Sequence, residues 1–564
     1  MPLKTSIGKQ NFERVIEEKC FYIDKTHFIK EWWEYGDDVT LITRPRRFGK
    51  TLNMSMLEAF FSLEYPGRGD LFEGLEIWQD EKYRQLQGCY PVIFISFAEI
   101  KETSYKGMLK QFWRIIKNLY QKYDFIPQNS TVSMLCKKEE VCAGTTEEFL
   151  PDSVELSGTL HDLTVYLKNH YGKQVIILLD EYDTPMQEAY ISGYWDEAVD
   201  FLRSLFNSTF KTNPALYRAV LTGITRVSKE SVFSDLNNLE VVTTTSEKYS
   251  SVFGFTEKEV FQALETQGLS ENKADVKHWY DGFTFGSVTD IYNPWSIINY
   301  LQNRRLMPYW ANTSSNSLVG KLIREGNPEV KMTMETLLTG GTLVTEIDEQ
   351  IVFDQLQKSK NAIWSLLLAS GYLKVISHRW DAKGLNEYTL SLTNFEVKLM
   401  FESMIKEWFD NGEISFNEFI KALLANDLET MIVYMNDIAM ESFSFFDSGK
   451  NLSEGKVAER FYHGFVLGLL VDLRKIYRIT SNRESGFGRY DIMLESLEKN
   501  SDAIIIEFKV FNPKKEKSLE DTLAAALEQI REKQYDMELI SRGVPKERIR
   551  HYGFAFKGKE VLIG

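Results

Sequence analysis

The sequence predicts an α/β protein: a parallel sheet near the start, a mostly helical middle and a second, smaller α/β region at the end. Three observations carry this reading. Between Asp24 and Thr225, four short apolar, β-branched runs alternate with segments of helical periodicity, as in a parallel sheet buried on both faces. From Glu257 to Ser448 the apolar residues recur mainly at helical spacing. After Asn451 the order becomes helix, strands, helix, strand, with Gly449-Lys450 at the junction. The expected domains are therefore 1–250, 251–450 and 451–564.

In chain order, Val39–Thr43 (VTLIT) is the first strand; it runs into RPRRFGKT and a helix over Leu52–Phe61. Pro91–Phe97 (PVIFISF) is the second strand, followed by a helix over Tyr105–Tyr120. Residues 124–157, with Pro127 and Gly144, read as an insertion. Val175–Leu179 and Tyr217–Thr222 are the third and fourth strands. Within the helical middle, Leu373–Ile376 and Glu387–Leu392 have strand character.

Composition excludes several classes. At 564 residues with 43% hydrophobic and 13% aromatic content, the chain can fill several cores and is not a disordered polymer. Its longest apolar runs, Val175–Leu179 and Phe465–Val471, fall far short of the ~18–20 residues that span a bilayer. The first residues lack the apolar core of a signal peptide. Four cysteines make neither a disulfide framework nor a metal-ligand pattern. A soluble, cytoplasmic protein is expected. The net charge of −15 argues against nucleic acid at first sight, but residues 451–564 carry 20 Lys and Arg against 18 Asp and Glu. The acidity lies in the body, and the C-terminal region does not repel phosphate.

Two constellations suggest chemistry. In the first, Arg44, Pro45, Arg46, Arg47, Phe48, Gly49, Lys50 and Thr51 follow a strand and open a helix, the setting in which backbone N–H groups and a helix N-terminus face phosphates. Lys50 suits the β- and γ-phosphates of ATP, and Thr51 suits Mg²⁺. Arg44 stands where such loops usually have their first glycine. Val175–Leu179 delivers Asp180, which can hold Mg²⁺ through water, and Glu181, which can orient the attacking water. Thr222 ends the next strand, where a polar side chain can sense the γ-phosphate; Arg226 follows it. The alternative is a strand ending in a solvated acidic turn, DEYD.

In the second, Asp491 opens an apolar strand and Ala503–Ile506 leads into Glu507-Phe508-Lys509. Alternation puts Glu507 and Lys509 on one side of the strand and Phe508 on the other. Two acids on adjacent strands supply hard oxygen ligands for Mg²⁺, and a neighbouring lysine polarises the attacking water. Glu459 lies in register with Tyr462, Val466 and Leu470, and Gln529 and Tyr535 lie on a helix expected beside the sheet. His463, one turn from Glu459, and Arg483 and Arg489 around SGFG are weaker candidates whose ordinary roles are packing and a solvated turn.

With both halves assembled, the chain resembles the bacterial AAA-ATPase-like proteins that carry a C-terminal PD-(D/E)XK nuclease domain. The resemblance rests on YIDKT (Tyr22–Thr26), LITRPRRFGKT (Leu41–Thr51), ILLDEYD (Ile177–Asp183), LTGITRVSK (Leu221–Lys229), WYDGFTFG (Trp279–Gly286) and YNPWS (Tyr292–Ser296). In the C-terminal region it rests on ESGFGRYDIML (Glu484–Leu494), IIIEFKV (Ile504–Val510) and ALEQIREKQY (Ala526–Tyr535). It implies a P-loop NTPase sheet, a helical lid or linker and a restriction-endonuclease-like α/β domain. It also implies nucleotide roles for Lys50 and Thr51, Mg²⁺ and hydrolysis roles for Asp180 and Glu181, and a nuclease core of Asp491, Glu507 and Lys509 with Glu459 and Gln529 accessory. The expectation is an ATP- and Mg²⁺-dependent nuclease acting on nucleic acid, DNA foremost, with homo-oligomerisation open. The alternatives are a nucleotide-driven switch or scaffold that binds nucleic acid or a partner without cutting, and an ATPase that uses its C-terminal region as a clamp. WYDGFTFG and YNPWS read first as structural packing.

Overall fold

The computed structural model describes residues 5, 7–143, 149–225, 232–233, 235–311, 319–320, 322–323, 328–338, 340–347, 361–380, 386–410, 416–442, 466–467, 469–470, 473, 476–481, 484–485, 488–489, 491–497, 501–558 and 560–564. The chain divides into two compact units: residues 1–318 with 342–398, and residues 319–341 with 399–564.

The first unit is built on a five-stranded sheet. Strands β1 (Val39–Thr43), β2 (Val92–Ser96), β3 (Val175–Asp180), β4 (Leu216–Gly223) and β5 (Leu239–Val242) pair in the order β2-β3-β4-β1-β5, every pair parallel. β1 and β3 are buried along their whole length, which is why they are uninterrupted apolar runs. Helices Lys50–Phe61, Tyr105–Tyr120, Ser153–Tyr171 and Trp195–Phe210 lie between the strands in sequence. β5 is a strand that periodicity does not reveal. Leu239-Glu240-Val241-Val242 sits at the sheet edge with only Val242 fully buried, so it lacks the apolar continuity of a central strand. The strand order sets the ends of β1, β4 and β3 side by side, with β4 in the centre.

The middle of the chain is mostly helical but also contains two small antiparallel sheets, both in the first unit. One joins β6 (Phe255–Thr256), β7 (Phe283–Phe285) and β8 (Val288–Tyr292) in the order β6-β8-β7. The other joins β9 (Leu343–Glu346), β10 (Leu373–Trp380) and β11 (Asn386–Leu392) in the order β10-β11-β9. β10 and β11 extend the two runs of strand character seen in the sequence. β7 lies within WYDGFTFG and forms a hairpin with β8, the chain turning at Gly286, φ +55°.

The second unit holds β12 (Tyr477–Ser481), β13 (Glu484–Ser485), β14 (Gly488–Arg489), β15 (Ile492–Ser496), β16 (Ala503–Val510), β17 (Ile549–Lys557) and β18 (Glu560–Ile563). Its main sheet runs β12-β15-β16-β17-β18, with β16 and β17 parallel and the other pairs antiparallel. Alternation along β16 divides the core. Ile504, Ile506 and Phe508 pack with Phe554, Phe419 and Met431 on one face. Ile505 packs with Met493, Ile530, Tyr535 and Leu539 on the other. Glu507 shares that second face by the two-residue period, and so faces helix Leu519–Glu532. That helix starts in a capping box between Ser518 and Asp521. Among the described residues no helix is long and apolar enough to cross a membrane.

The helix lies close on β17. A Cβ added at Gly553, the partner of Glu507 in the ladder, would lie 2.7 Å from Leu523 Cδ1 and 3.2 Å from Ala526 Cβ. Gly553→Val should push the helix outward and cost about 1–3 kcal/mol by overpacking. Chemical denaturation of the full chain would register the loss; an unchanged midpoint would show that the helix yields freely.

Candidate functional site

At the C-terminal ends of β1, β3 and β4 the side chains of the first constellation converge. β1 ends at Thr43, and the loop 44–49 turns back into helix Lys50–Phe61 through Gly49 at φ +81°, which an L side chain tolerates poorly. Lys50 is buried, and its Nζ donates to the carbonyls of Arg44 and Pro45, 2.9 Å each. The ammonium thus folds back over its own loop and closes it. Burial lowers the Lys50 pKa, opposed by the charges of Glu181, Asp180 and Asp183.

Thr51 Oγ1 donates to Asp180 Oδ2 at 2.6 Å, and Thr222 Oγ1 donates to Asp180 Oδ1. A loop threonine, the β3 carboxylate and the β4 threonine form one hydrogen-bonded chain across three elements. Asp180 is 2% exposed, and burial raises its pKa against those two hydrogen bonds. Glu181, the next residue, adopts φ +51°, a strained backbone for a non-glycine residue, and accepts from Thr184 Oγ1 at 3.2 Å.

The arginines separate. Arg44 is fully buried, and its guanidinium donates to the carbonyls of Thr43 (3.0 Å), Thr243, Lys248 (3.4 Å) and Tyr249 (3.5 Å). It also lies 4.5 Å from the Phe285 ring centre. Burial pushes its pKa down to about 9. Its side chain therefore fills the protein beneath the loop. Arg46 bonds Gln187 at 3.5 Å; Arg47, exposed at φ +66°, stacks over Trp295 at 4.4 Å. Phe48 is buried against Phe283 and Phe285. WYDGFTFG therefore packs on the loop itself. Pro45 supplies one of the two carbonyls that hold Lys50.

DEYD is not a solvated turn. Asp183 is 1% exposed, and its Oδ2 accepts from Ile224 N (3.0 Å), Thr225 N (2.9 Å), Thr225 Oγ1 (3.0 Å) and Gln187 Nε2 (2.9 Å). Tyr182 is buried and donates its hydroxyl to Thr225 O at 2.7 Å. The turn after β3 is thereby clamped to the segment after β4. The pattern DEYD gives no sign of this, because the waiting N–H groups lie some forty residues away.

In the second unit, β15 and β16 pair Ile492 with Ile506, which sets Asp491 and Glu507 at neighbouring positions across the ladder. Asp491 Oδ2 accepts from Phe508 N at 2.8 Å, yet burial raises its pKa to about 6. Lys509 Nζ donates to Gln529 Oε1 at 2.6 Å, and Gln529 Nε2 donates to Glu507 Oε1 and to Tyr535 Oη (3.3 Å). Glu507 is 3% exposed. The glutamine thus bridges the lysine and the acid. Glu459, Arg226, His463 and Arg483 lie outside the described residues, as does the side chain of Arg489.

Among the described residues, one group of three acids has metal-ligand spacing: Glu257, Asp281 and Asp290. Lys277 Nζ already bonds Glu257 and Asp290 (3.0 Å). Burial and the Asp290 carboxylate push Asp281 up to about 7. The cluster has its own cation and is read as a structural ion-pair network.

Comparison with known proteins finds a family model over each of the two regions that hold these centres. Residues 6–233 match the AAA-ATPase-like family, described as a predicted AAA-ATPase, and residues 457–564 match the PD-(D/E)XK nuclease superfamily. A protein of Azotobacter chroococcum mcd 1, described as "Uncharacterized protein in vnfD 5'region", is 26% identical over 560 residues, covering 96% of this chain and 95% of that one.

Two measurements test the geometry. Asp183→Ala leaves four donors without their acceptor and should cost about 3 kcal/mol. Gly223→Ala, whose Cβ would meet Tyr182 at 2.6 Å and Asp183 Oδ1 at 2.7 Å, should also destabilise. Wild-type melting temperatures for both would refute the clamp. Asp491 has its folded pKa raised to about 6 from 3.8, so its contribution is fully present below the unfolded value and lost as pH rises through the folded one. In EDTA, wild type should therefore lose stability relative to Asp491→Asn between about pH 4 and 6. A pH-independent difference would show that Asp491 is not desolvated.

Proposed function

We propose that this chain, which joins an AAA-ATPase-like domain to a PD-(D/E)XK nuclease superfamily domain, binds and hydrolyses ATP in the first and cleaves nucleic acid, DNA foremost, in the second, with nucleotide controlling cleavage. One observation carries the proposal: in each domain side chains from separated stretches of sequence converge on a buried carboxylate, Thr51 and Thr222 on Asp180, and Gln529, itself bonded by Lys509, on Glu507.

The donor set of the first domain fits a nucleotide with Mg²⁺. The loop ends on a helix N-terminus, and Lys50 can turn from the carbonyls of Arg44 and Pro45 to the β/γ-phosphates. Thr51 and Asp180 would hold Mg²⁺, which supplies charge neutralisation on the phosphate oxygens. Glu181 orients the attacking water, and Thr222 aligns Asp180 and senses the γ-phosphate. The loop backbone from Arg44 through Gly49 forms the cradle.

In the second domain Asp491 and Glu507 offer hard carboxylate oxygens that fit Mg²⁺, which would polarise the scissile phosphate. Lys509 polarises the water that attacks phosphorus. Gln529 fixes the directions of Lys509 and Glu507. Glu459 is proposed as a further acid of this site, and the three-part division at 250 and 450 as the functional one.

Lys50→Ala should weaken ATP binding on the order of a hundredfold, and Glu181→Gln should bind ATP while hydrolysing it on the order of a hundredfold more slowly. Plasmid and single-stranded DNA, incubated with Mg²⁺ with and without ATP, should be cut by wild type and spared by Asp491→Ala, Glu507→Ala and Lys509→Ala. Wild-type protein that cuts neither DNA nor RNA, yet binds them in a nucleotide-dependent way, would replace the nuclease by a nucleotide-driven switch.

A further inference from the structure

A loop that turns its N–H groups towards an anion turns its carbonyls outward, where each needs a donor. In the loop 44–49, Arg44 O and Pro45 O accept from Lys50 Nζ, Phe48 O accepts from Gly254 N (3.4 Å), and Gly49 O accepts from Asn53 N (2.9 Å). The Arg46 carbonyl takes two side-chain donors, Asn293 Nδ2 at 3.3 Å and Trp310 Nε1 at 3.0 Å. Both come from the segment containing YNPWS, nearly 250 residues or more along the chain.

Neither donor is free to turn. Asn293 is fully buried and caps helix Pro294–Asn303, its Oδ1 accepting from Trp295 N (2.9 Å) and Ser296 N (3.3 Å). With its oxygen committed to the helix, its amide nitrogen can only point at Arg46. Trp310 is 3% exposed, and its backbone N–H donates to Glu396 Oε1 at 2.5 Å, with Ala311 N on the same oxygen at 3.4 Å. Glu396 Oε2 accepts from Ser296 Oγ at 2.9 Å, in the first turn of the helix that Asn293 caps. A single carboxylate, fully buried with no cation among these partners, thus ties together the backbones that carry both donors. A buried acid is costly unless it is hydrogen-bonded, and these three bonds supply that. The next loop residue, Arg47, stacks on Trp295 in the same helix.

We infer that Asn293 and Trp310, fixed by Glu396, are positioning residues that hold the phosphate loop in its anion-binding shape through the Arg46 carbonyl. This deepens the nucleotide reading above and rests on it. None of the three touches phosphate; they act by denying the loop the peptide flip that would turn the Arg46 carbonyl inward.

The test separates donor from bulk. Trp310→Phe removes Nε1 and keeps a ring in place. Asn293→Asp and Asn293→Ser keep a helix cap and remove the amide donor. Binding of a fluorescent ATP analogue and of ADP is measured on the full chain, well below each variant's melting transition, beside Lys50→Ala. The expected result is a rise in Kd of about tenfold for both nucleotides in Trp310→Phe and Asn293→Asp, matching the loss of one hydrogen bond. Asn293→Ser should lie between them and wild type. Fold stability alone would leave the Kd of the folded protein unchanged, so wild-type affinity in all three variants, with Lys50→Ala impaired, overturns the positioning role and leaves the nucleotide reading standing. Wild-type protein that binds no nucleotide overturns both.

Discussion

The first unit is organised by the need to satisfy the carbonyls of the loop 44–49. A loop that presents N–H groups to an anion cannot also use its carbonyls inwardly, so the surrounding fold must supply donors. Lys50 closes the first two, the start of its helix takes Gly49, the segment around 254 takes Phe48, and those around 293 and 310 take Arg46. This explains why residues 251–318 and 342–398 belong to the same compact unit as the sheet. It also explains Arg44 where a glycine is usual. Its guanidinium answers four carbonyls from the stretches around Thr43 and Thr243–Tyr249, the segment that follows β5. The residue that looks like an extra phosphate contact in the sequence is a strut beneath the loop.

Buried carboxylates do the comparable work between elements. Asp180 joins the loop helix to β4, Asp183 joins the turn after β3 to the chain after β4, and Glu396 joins residues 296 and 310. Burial raises the pKa of each, and the hydrogen bonds it accepts oppose that rise. Such groups are stable where the donors are complete and sensitive to their loss. In the second unit Gln529 does the same between Lys509 and Glu507, its helix held close to β17 over Gly553.

Much of this was legible. β1 and β3 are buried on both faces, so Val39–Thr43 and Val175–Leu179 stand out as apolar runs, and the residues that end them are the ones that meet at the sheet edge. The spacing of Asp491 and Glu507 is equally readable, since strand alternation fixes which side chains share a face. Three things were not. β5 is an edge strand with half-exposed residues and no clean period. Asp183 looks solvated because its partners, Ile224 and Thr225, are distant backbone groups. The contact between Asn293 and Arg46 spans 247 residues, and neither residue type announces the other. Local pattern reveals strands and strand-end acids; long-range hydrogen bonds to backbone leave no local trace.

The central claim is that the loop at residues 44–51 is a preformed anion cradle. Amide hydrogen exchange of the full chain, with and without ADP and Mg²⁺, tests it most directly. Nucleotide should slow exchange in residues 46–53, where N–H groups of the loop and the helix start would become hydrogen-bonded to phosphate, while residues 503–510 are unchanged. Exchange that is unaltered across residues 46–53 at saturating nucleotide would contradict it.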